Sequence, residues 1–437
     1  MYRTMVLVVA AMLLWTAVPA FAELENVVVG GAIRIRGNLY TGPGVGDTGG
    51  LAPGLRWPAW SVWGRPIGNA GGVSSLFSWD DSNNNWSFVE ERTRLNVAAS
   101  FTDSVKAVIE LDSYDTWGQD FRSNYVTGLD GRAASVDDVE IYQSYIEAAD
   151  MFGMPLTARI GRQEIALGSQ WLVGVNDASS VFTGLSFDAI RLTYACDDFS
   201  VDAIASKLAE TSPLEEDGDV DFYALYGSYL GIEDVTLDAY WMLVRDARAL
   251  GDVVSGPLGN WFEDALDVDD YPVTTLHTVG LRGAGTFGAF DLQAEAAAQF
   301  GDAAAVGAMF RPVIFGDDDA QYNEWGANLE TGYTFDAKCT PRVYVGGAYF
   351  SGDDNRDFDV GEWLDAALNP FHKPSASVSF NRLFSNWEYS EFIETTDLSN
   401  CWIARAGMSA MATEDVKVLL AGTYFVADEP FSPPASV

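Results

Sequence analysis

Arg34 and Arg36 stand two apart, between and beside Ile33 and Ile35, and the same spacing recurs along the chain. In 88–101, Glu90, Arg92, Arg94 and Asn96 alternate with Leu95, Val97 and Ala99; in 105–117, Lys106, Glu110 and Asp112 alternate with Ala107, Ile109 and Leu111. In 187–196, Ala189, Arg191 and Thr193 alternate with Ile190, Leu192 and Tyr194. A two-residue period puts each set on one face of a β-strand. Guanidinium groups stay charged and grip carboxylates in a forked geometry. Such faces do one of two things: they meet acidic groups of a solute, or they pair with acids of neighbouring strands and brace the wall.

Other chemistries fit less well. With 63 acidic residues, carboxylate pairs for glycoside hydrolysis can be chosen at will, so none is informative without a measured separation. There is no Gly-x-Ser-x-Gly elbow and no phosphate-cradling Gly-x-x-x-x-Gly-Lys-Ser/Thr. His277 and His372 are too few and too far apart for a metal site. Asp353 to Asp359 alternates oxygen ligands that suit calcium, yet Phe358 and Leu364 break the EF-hand pattern, and a solvated acidic loop is the better reading. Cys196, Cys339 and Cys401 are scattered; a bridge between Cys196 and Cys339 is open, since both sit at short strand-to-strand turns. No catalytic residue, metal or cofactor is expected.

The elements that would hold the alternating faces are strands. Residues 26–40 form the first, and paired strands follow across tight turns such as Thr102-Asp103 and Asp197-Asp198. Ala294 to Ala298 shows no alternation and also reads as helix. Long connections, 41–86, 118–137, 168–186, 211–219, 247–273, 301–321 and 352–399, alternate with the short turns. Bacterial outer-membrane barrels keep short turns at one end and long loops at the other. A Greek-key sandwich has no such asymmetry. The expected fold is all-β, a large antiparallel up-and-down transmembrane barrel of about 16–18 strands.

Residues 1–22, with Arg3, an apolar run and Ala20-Phe21-Ala22, read as a secretory signal peptide, and 23–437 as one barrel domain. No later run of about 18 apolar residues recurs, which excludes a helical membrane protein. The formal charge of −38 offers no basic patch to phosphates and excludes nucleic acid as a partner. The chain ends PFSPPASV, without a terminal strand, so one to three closing strands are expected to be missing.

Several motifs, in order, resemble the alginate-export family of outer-membrane barrels. They are Gly161-Arg162-Gln163-Glu164-Ile165-Ala166-Leu167-Gly168, then Phe187-Asp188-Ala189-Ile190-Arg191-Leu192, then Glu330-Thr331-Gly332-Tyr333-Thr334-Phe335 with Pro341-Arg342-Val343. Tyr349-Phe350-Ser351-Gly352-Asp353 and Phe380-Asn381-Arg382-Leu383-Phe384 complete the set. The resemblance covers about residues 27–428.

It implies a passive channel in the outer membrane of a Gram-negative-type cell, in contact with membrane lipid. An anionic or neutral polysaccharide, oligosaccharide or other small solute would pass through an arginine-lined lumen, with periplasmic export partners. Carried over, the pore-lining set is Arg34, Arg36, Arg92, Arg94, Lys106, Arg159, Arg191, Arg342 and Arg405, with the long first loop and 352–399 as gates. Gly161, Arg162, Gln163, Asp188, Ser351, Gly352 and Asp353 belong to the family's motifs, and Arg162 with Gln163 reads better as a structural pair at a strand bend than as a solute contact. Where relatives carry a further arginine, this chain has Gln170-Trp171. Two alternatives stand beside the exporter: a general diffusion porin with an acidic, cation-favouring mouth, and a soluble exported carbohydrate-active or carbohydrate-binding β-protein.

Overall fold

The structure, a computed structural model, describes residues 26–40, 86–117, 139–175, 177, 184–210, 218–248, 273–309, 319–353, 368, 376–387, 389 and 399–429. The proposed signal peptide, the connection 41–85 and most of the acidic loop after Asp353 lie outside them.

Alternation becomes one sheet of 15 strands, each antiparallel to the next in chain order. These are β1 (Asn26–Tyr40), β2 (Trp86–Thr102), β3 (Val105–Thr116), β4 (Glu140–Ala148), β5 (Leu156–Gln163), β6 (Phe187–Ala195), β7 (Phe199–Ala209) and β8 (Val220–Ile232). There follow β9 (Val235–Asp246), β10 (Thr274–Phe287), β11 (Phe290–Asp302), β12 (Gln321–Thr334), β13 (Arg342–Phe350), β14 (Cys401–Met411) and β15 (Lys417–Ala427). A 3-10 turn (Met151–Gly153) and the helix α1 (Ala304–Met309) lie between them. The alanine run of 294–298 is strand, inside β11, with Ala297 buried and Ala296 and Ala298 exposed. Flanking strands supply its ladder, which decides what local pattern leaves open.

The outer face is apolar. Leu281 is 67% exposed, and Ile160, Ile190, Leu192, Leu225, Leu237, Leu292, Leu329 and Val345 share its outward side. Aromatic rings border this band at both ends. Tyr194 and Phe199 (5.8 Å), Phe290 and Tyr333 (4.7 Å), and Tyr333 and Phe335 (4.8 Å) meet near the short turns. His277 and Phe300 (5.1 Å), Trp325 and Tyr349 (4.5 Å), and Tyr349 and Trp402 (4.2 Å) meet near the long connections. Trp325 and Tyr333 lie eight residues apart on β12, roughly 26 Å of strand and about 20 Å of height at the tilt of such barrels, close to a membrane-facing band. That outer surface belongs in lipid, and the soluble alternative loses its footing.

The core is on the other face. Segments 164–175 and 376–387 turn inward, and Ile165, Trp171, Leu172, Val173 and Phe380 pack against Phe187, Ala189, Phe222, Tyr240, Met242, Phe350 and Ile403 of the sheet. The two segments hold each other: Gly174 N donates to Phe384 O (2.9 Å), Phe384 N to Leu172 O (2.8 Å) and Asn386 N to Gln170 O (3.0 Å). Strands as far apart as β4, β11 and β12 reach the same segments through Tyr142, Glu295 and Asn328, so the sheet curls round them.

Several strand limits differ from the sequence reading by a residue or two, and two differ for a reason of packing. β5 ends at Gln163 rather than at Leu167, because Ile165 and Leu167 leave the sheet to join the inner core. β12 begins at Gln321, where Tyr322 packs in a second buried cluster with Leu276, Val306 and Val378. The strand count is 15 against the expected 16–18, and no pairing of β1 with β15 closes the sheet among the described residues. Both edge strands run the same way, from the short-turn end to the long-connection end.

Candidate functional site

The inner face has two walls. From β1 to β6 it is charged. Arg36 Nε donates to Glu90 (2.8 Å), which also accepts from Asn38 (2.7 Å) and Tyr114 (2.6 Å). Arg92, 2% exposed, grips Asp112 with Nε and Nη2 (2.8 and 2.6 Å), and its guanidinium lies 4.9 Å from the centre of the Tyr142 ring. Arg94 sits 3.5 Å from Glu110 and 3.6 Å from Glu164. Nearer the short turns, Lys106 (2.8 Å) and Arg159 (2.6 Å) share Glu147, and Arg191 meets Asp202 at 2.8 Å. Cross-strand register brings these together: Arg34 opposes Arg92, and Arg159 opposes Arg191. Like charges in one row are tolerable only with acids close by: Glu147 lies in the row of Arg159 and Arg191, while Asp112, opposite Arg94, reaches Arg92 from the neighbouring row.

From β7 to β14 the long-connection half of the inner face is apolar and covered by the inward segments. Trp171 stacks between Phe350 (5.8 Å) and Phe380 (5.9 Å), and its indole Nε1 donates to Tyr389 OH (3.2 Å). Tyr389 in turn donates to Asn328 (3.1 Å), and burial pushes its phenol well above the usual tyrosine value. Thus Trp171 serves as the centre of a packed core.

Charge returns on that wall toward the short turns. Arg282 meets Asp238 (2.6 Å), which accepts from Tyr226 OH (2.8 Å), while Glu295 accepts from Tyr240 (2.9 Å) and Ser169 (2.8 Å). Arg342 bonds Asp291 and Glu330, the latter at 3.0 Å. Arg405 differs: its guanidinium lies 5.4 Å from the Tyr344 ring centre, shared with Arg342 at 5.1 Å, and no described carboxylate pairs with it. Arg282, Asp238 and Glu295 were missed in the sequence, although Arg282 follows Leu281 in the same alternation.

The inward segments are also tied to the charged wall. Asp177 accepts from Arg34 and lies 3.4 Å from Arg92 Nη1. Of the two expected gates, 41–85 lies outside the described residues, while part of 352–399 enters the interior as segment 376–387.

The motif residues fall in two places. Gly161 has φ +125°, and a Cβ there would stand 2.2 Å from Ser144 O, so glycine permits the strand bend. Beside it Gln163, fully buried, donates to Ala189 O (3.0 Å), whereas Arg162 points outward and clasps Asp188 with Nε and Nη2 (both 2.8 Å). The odd spacing from Arg159 to Arg162 carries that reversal of face. Ser351, Gly352 and Asp353 anchor the second segment: Phe380 N donates to Ser351 O (3.0 Å), Gly352 bridges Ser379, and Val378 N reaches Asp353 (3.4 Å). All three cysteines are free thiols.

Among solved structures, Pseudomonas putida OprB is 13% identical with TM-score 0.44, covering 93% of this chain and 91% of that one. The outer membrane channel DcaP of Acinetobacter baumannii is 10% identical with TM-score 0.44, covering 93% and 92%. A loop-deletion mutant of the outer membrane protein OmpT of Vibrio cholerae is 10% identical with TM-score 0.44, covering 92% and 94%. No curated protein matches the chain significantly. The family described as alginate export matches residues 80–428, most of the sheet and both inward segments. The chain belongs to the alginate export family.

Proposed function

We propose that this outer-membrane channel passes an anionic or neutral polysaccharide, oligosaccharide or small solute along the charged wall of β1–β6. The observation that carries this reading is the division of the interior. Apolar segments fill the side of β7–β14, while the opposite side presents Arg34, Arg36, Arg94, Lys106, Arg159 and Arg191 beside their acids. A solute carboxylate exchanging with those acids keeps each guanidinium paired at every step, which flattens the path for a polyanion. Arg405 and Arg342 around Tyr344 would receive it nearer the periplasm. Direction would come from periplasmic partners, since a passive pore has none of its own.

A cation-preferring diffusion porin is the second reading, favoured by the close matching of cations to acids and by the formal charge of −38. Planar-bilayer recordings of the refolded chain under a salt gradient, then with polyuronate, separate the two. Anion selectivity with polyuronate block is expected, and it should weaken in Arg94→Ala. A cation-selective current indifferent to polyuronate would transfer the function to general diffusion.

A further inference from the structure

Past the inward segments, toward the short turns, the β9–β13 wall of the lumen holds a polar recess. Asp238, Arg282, Glu295 and Asn328 stand opposite one another in register, and Glu295 and Asn328 carry the contacts to Ser169 and Tyr389. Two residues nearer the short turns, on the same inner face, the next set in register is Thr236, Ala284, Gln293 and Glu330. The short side chain of Ala284 leaves a gap there, a recess of about 460 Å³ that Asp234, Asp291 and Arg342 also line. Its volume is in the usual range for small-ligand sites. Gly332 shapes one side: a Cβ there would stand 2.4 Å from Arg342 Nε, so glycine lets Arg342 cross β12. Its guanidinium thereby donates to Asp291 at 2.9 Å and to Glu330 Oε1 at 3.0 Å.

What remains in the recess suits hydroxyl groups. The Gln293 amide, the Thr236 hydroxyl and Glu330 Oε2 make no hydrogen bond to another of the described residues. A sugar ring presents neighbouring hydroxyls, each both donor and acceptor. Gln293 answers with both roles, Glu330 accepts, and Thr236 does either. A solute carboxylate fits poorly, because Arg342 is already shared by two acids and Asp234 adds a third. A metal ion has no cage here either, since no three acids converge on one point among the described residues.

We propose that this recess binds an uncharged sugar unit of the solute through its hydroxyls, with Gln293 and Glu330 as the main partners. The inference rests on the carbohydrate-channel reading above and narrows it: the solute carries neutral, hydroxyl-rich rings. The two walls then divide the work, with carboxylates exchanging along β1–β6 and neutral rings held at β9–β13.

The test places a thiol at the floor of the recess with Ala284→Cys. Its alkylation in the refolded full chain is followed by mass spectrometry on the peptide that carries it. The rate should fall roughly fivefold at high maltotriose and far less with trigalacturonate. Adding Gln293→Ala should raise the maltotriose concentration for half protection about tenfold, through the lost amide hydrogen bonds. Adding Glu330→Gln should strengthen protection by trigalacturonate several-fold, because it removes an acid. Should Ala284→Cys fail to refold, Thr236→Cys gives the same readout. Absence of maltotriose protection, equal protection by both trisaccharides, or an unaltered half-point with Gln293→Ala would overturn the proposal. Thiol protection needs no current, so the two readings fail separately. A current indifferent to polyuronate, with maltotriose protection intact, removes the anionic path and keeps the recess.

Discussion

The two inner walls solve one problem in opposite ways. On β1–β6, polar side chains are buried in ion pairs: Arg92 is 2% exposed, and so is its partner Asp112. On β7–β14, the long-connection half is apolar and is kept from water by segments 164–175 and 376–387, with Trp171 wholly buried at their centre. The difference teaches where a path can run. An apolar wall left bare would need covering, and the cover uses up the space beside it. A wall of ion pairs needs no cover, because water and a charged solute are acceptable neighbours.

Trp171→Ala should break the comparison most sharply. It removes the stack with Phe350 and Phe380 and should cost about 3–5 kcal/mol in the packing of the inward segments. Conductance should rise and become noisy while the heat-resistant barrel persists on gels; an unchanged conductance would show that these segments do not set the bore. Asp112→Ala tests the other wall. It leaves Arg92 buried without its main partner and should cost about 3 kcal/mol, read as a shifted unfolding midpoint in guanidinium. The double variant with Arg92→Ala should recover part of that loss.

Smaller effects are expected where water already reaches. Arg191→Ala breaks the half-buried pair with Asp202 and should cost about 1 kcal/mol. Arg405→Ala should change stability by less than about 0.5 kcal/mol, since no described carboxylate is orphaned. Polyuronate block should nevertheless weaken in that variant, and an unaltered blocking constant would remove Arg405 from the solute path.

Much of the sheet was legible from the chain. Residues 26–40 match β1 in both limits, and the hairpin turns expected at Thr102-Asp103 and Asp197-Asp198 lie within a residue of those positions. The candidate site was legible in part. Arg34 through Arg191 could be grouped because each alternates with apolar neighbours, and acids of neighbouring strands do pair with such arginines: Glu90, Glu110, Asp112 and Glu330 are partners of Arg36, Arg94, Arg92 and Arg342. Segment 164–175 was not legible. In the sequence 164–167 continues a strand and 168–175 opens the long connection 168–186, yet Ile165 and Trp171 have no accessible surface. What buries Trp171 comes from Phe350 and Phe380, and what bonds Ser169 comes from Glu295, all more than a hundred residues away.

By itself the sequence determined the strands, their faces and the alternation of short and long connections, because side-chain direction in a strand follows from a two-residue period that any short stretch displays. Tertiary structure decided which long connections turn inward, which wall stays charged and which acid each arginine meets. Those depend on curling the sheet until strands remote in sequence face one another, and no local pattern encodes that closure.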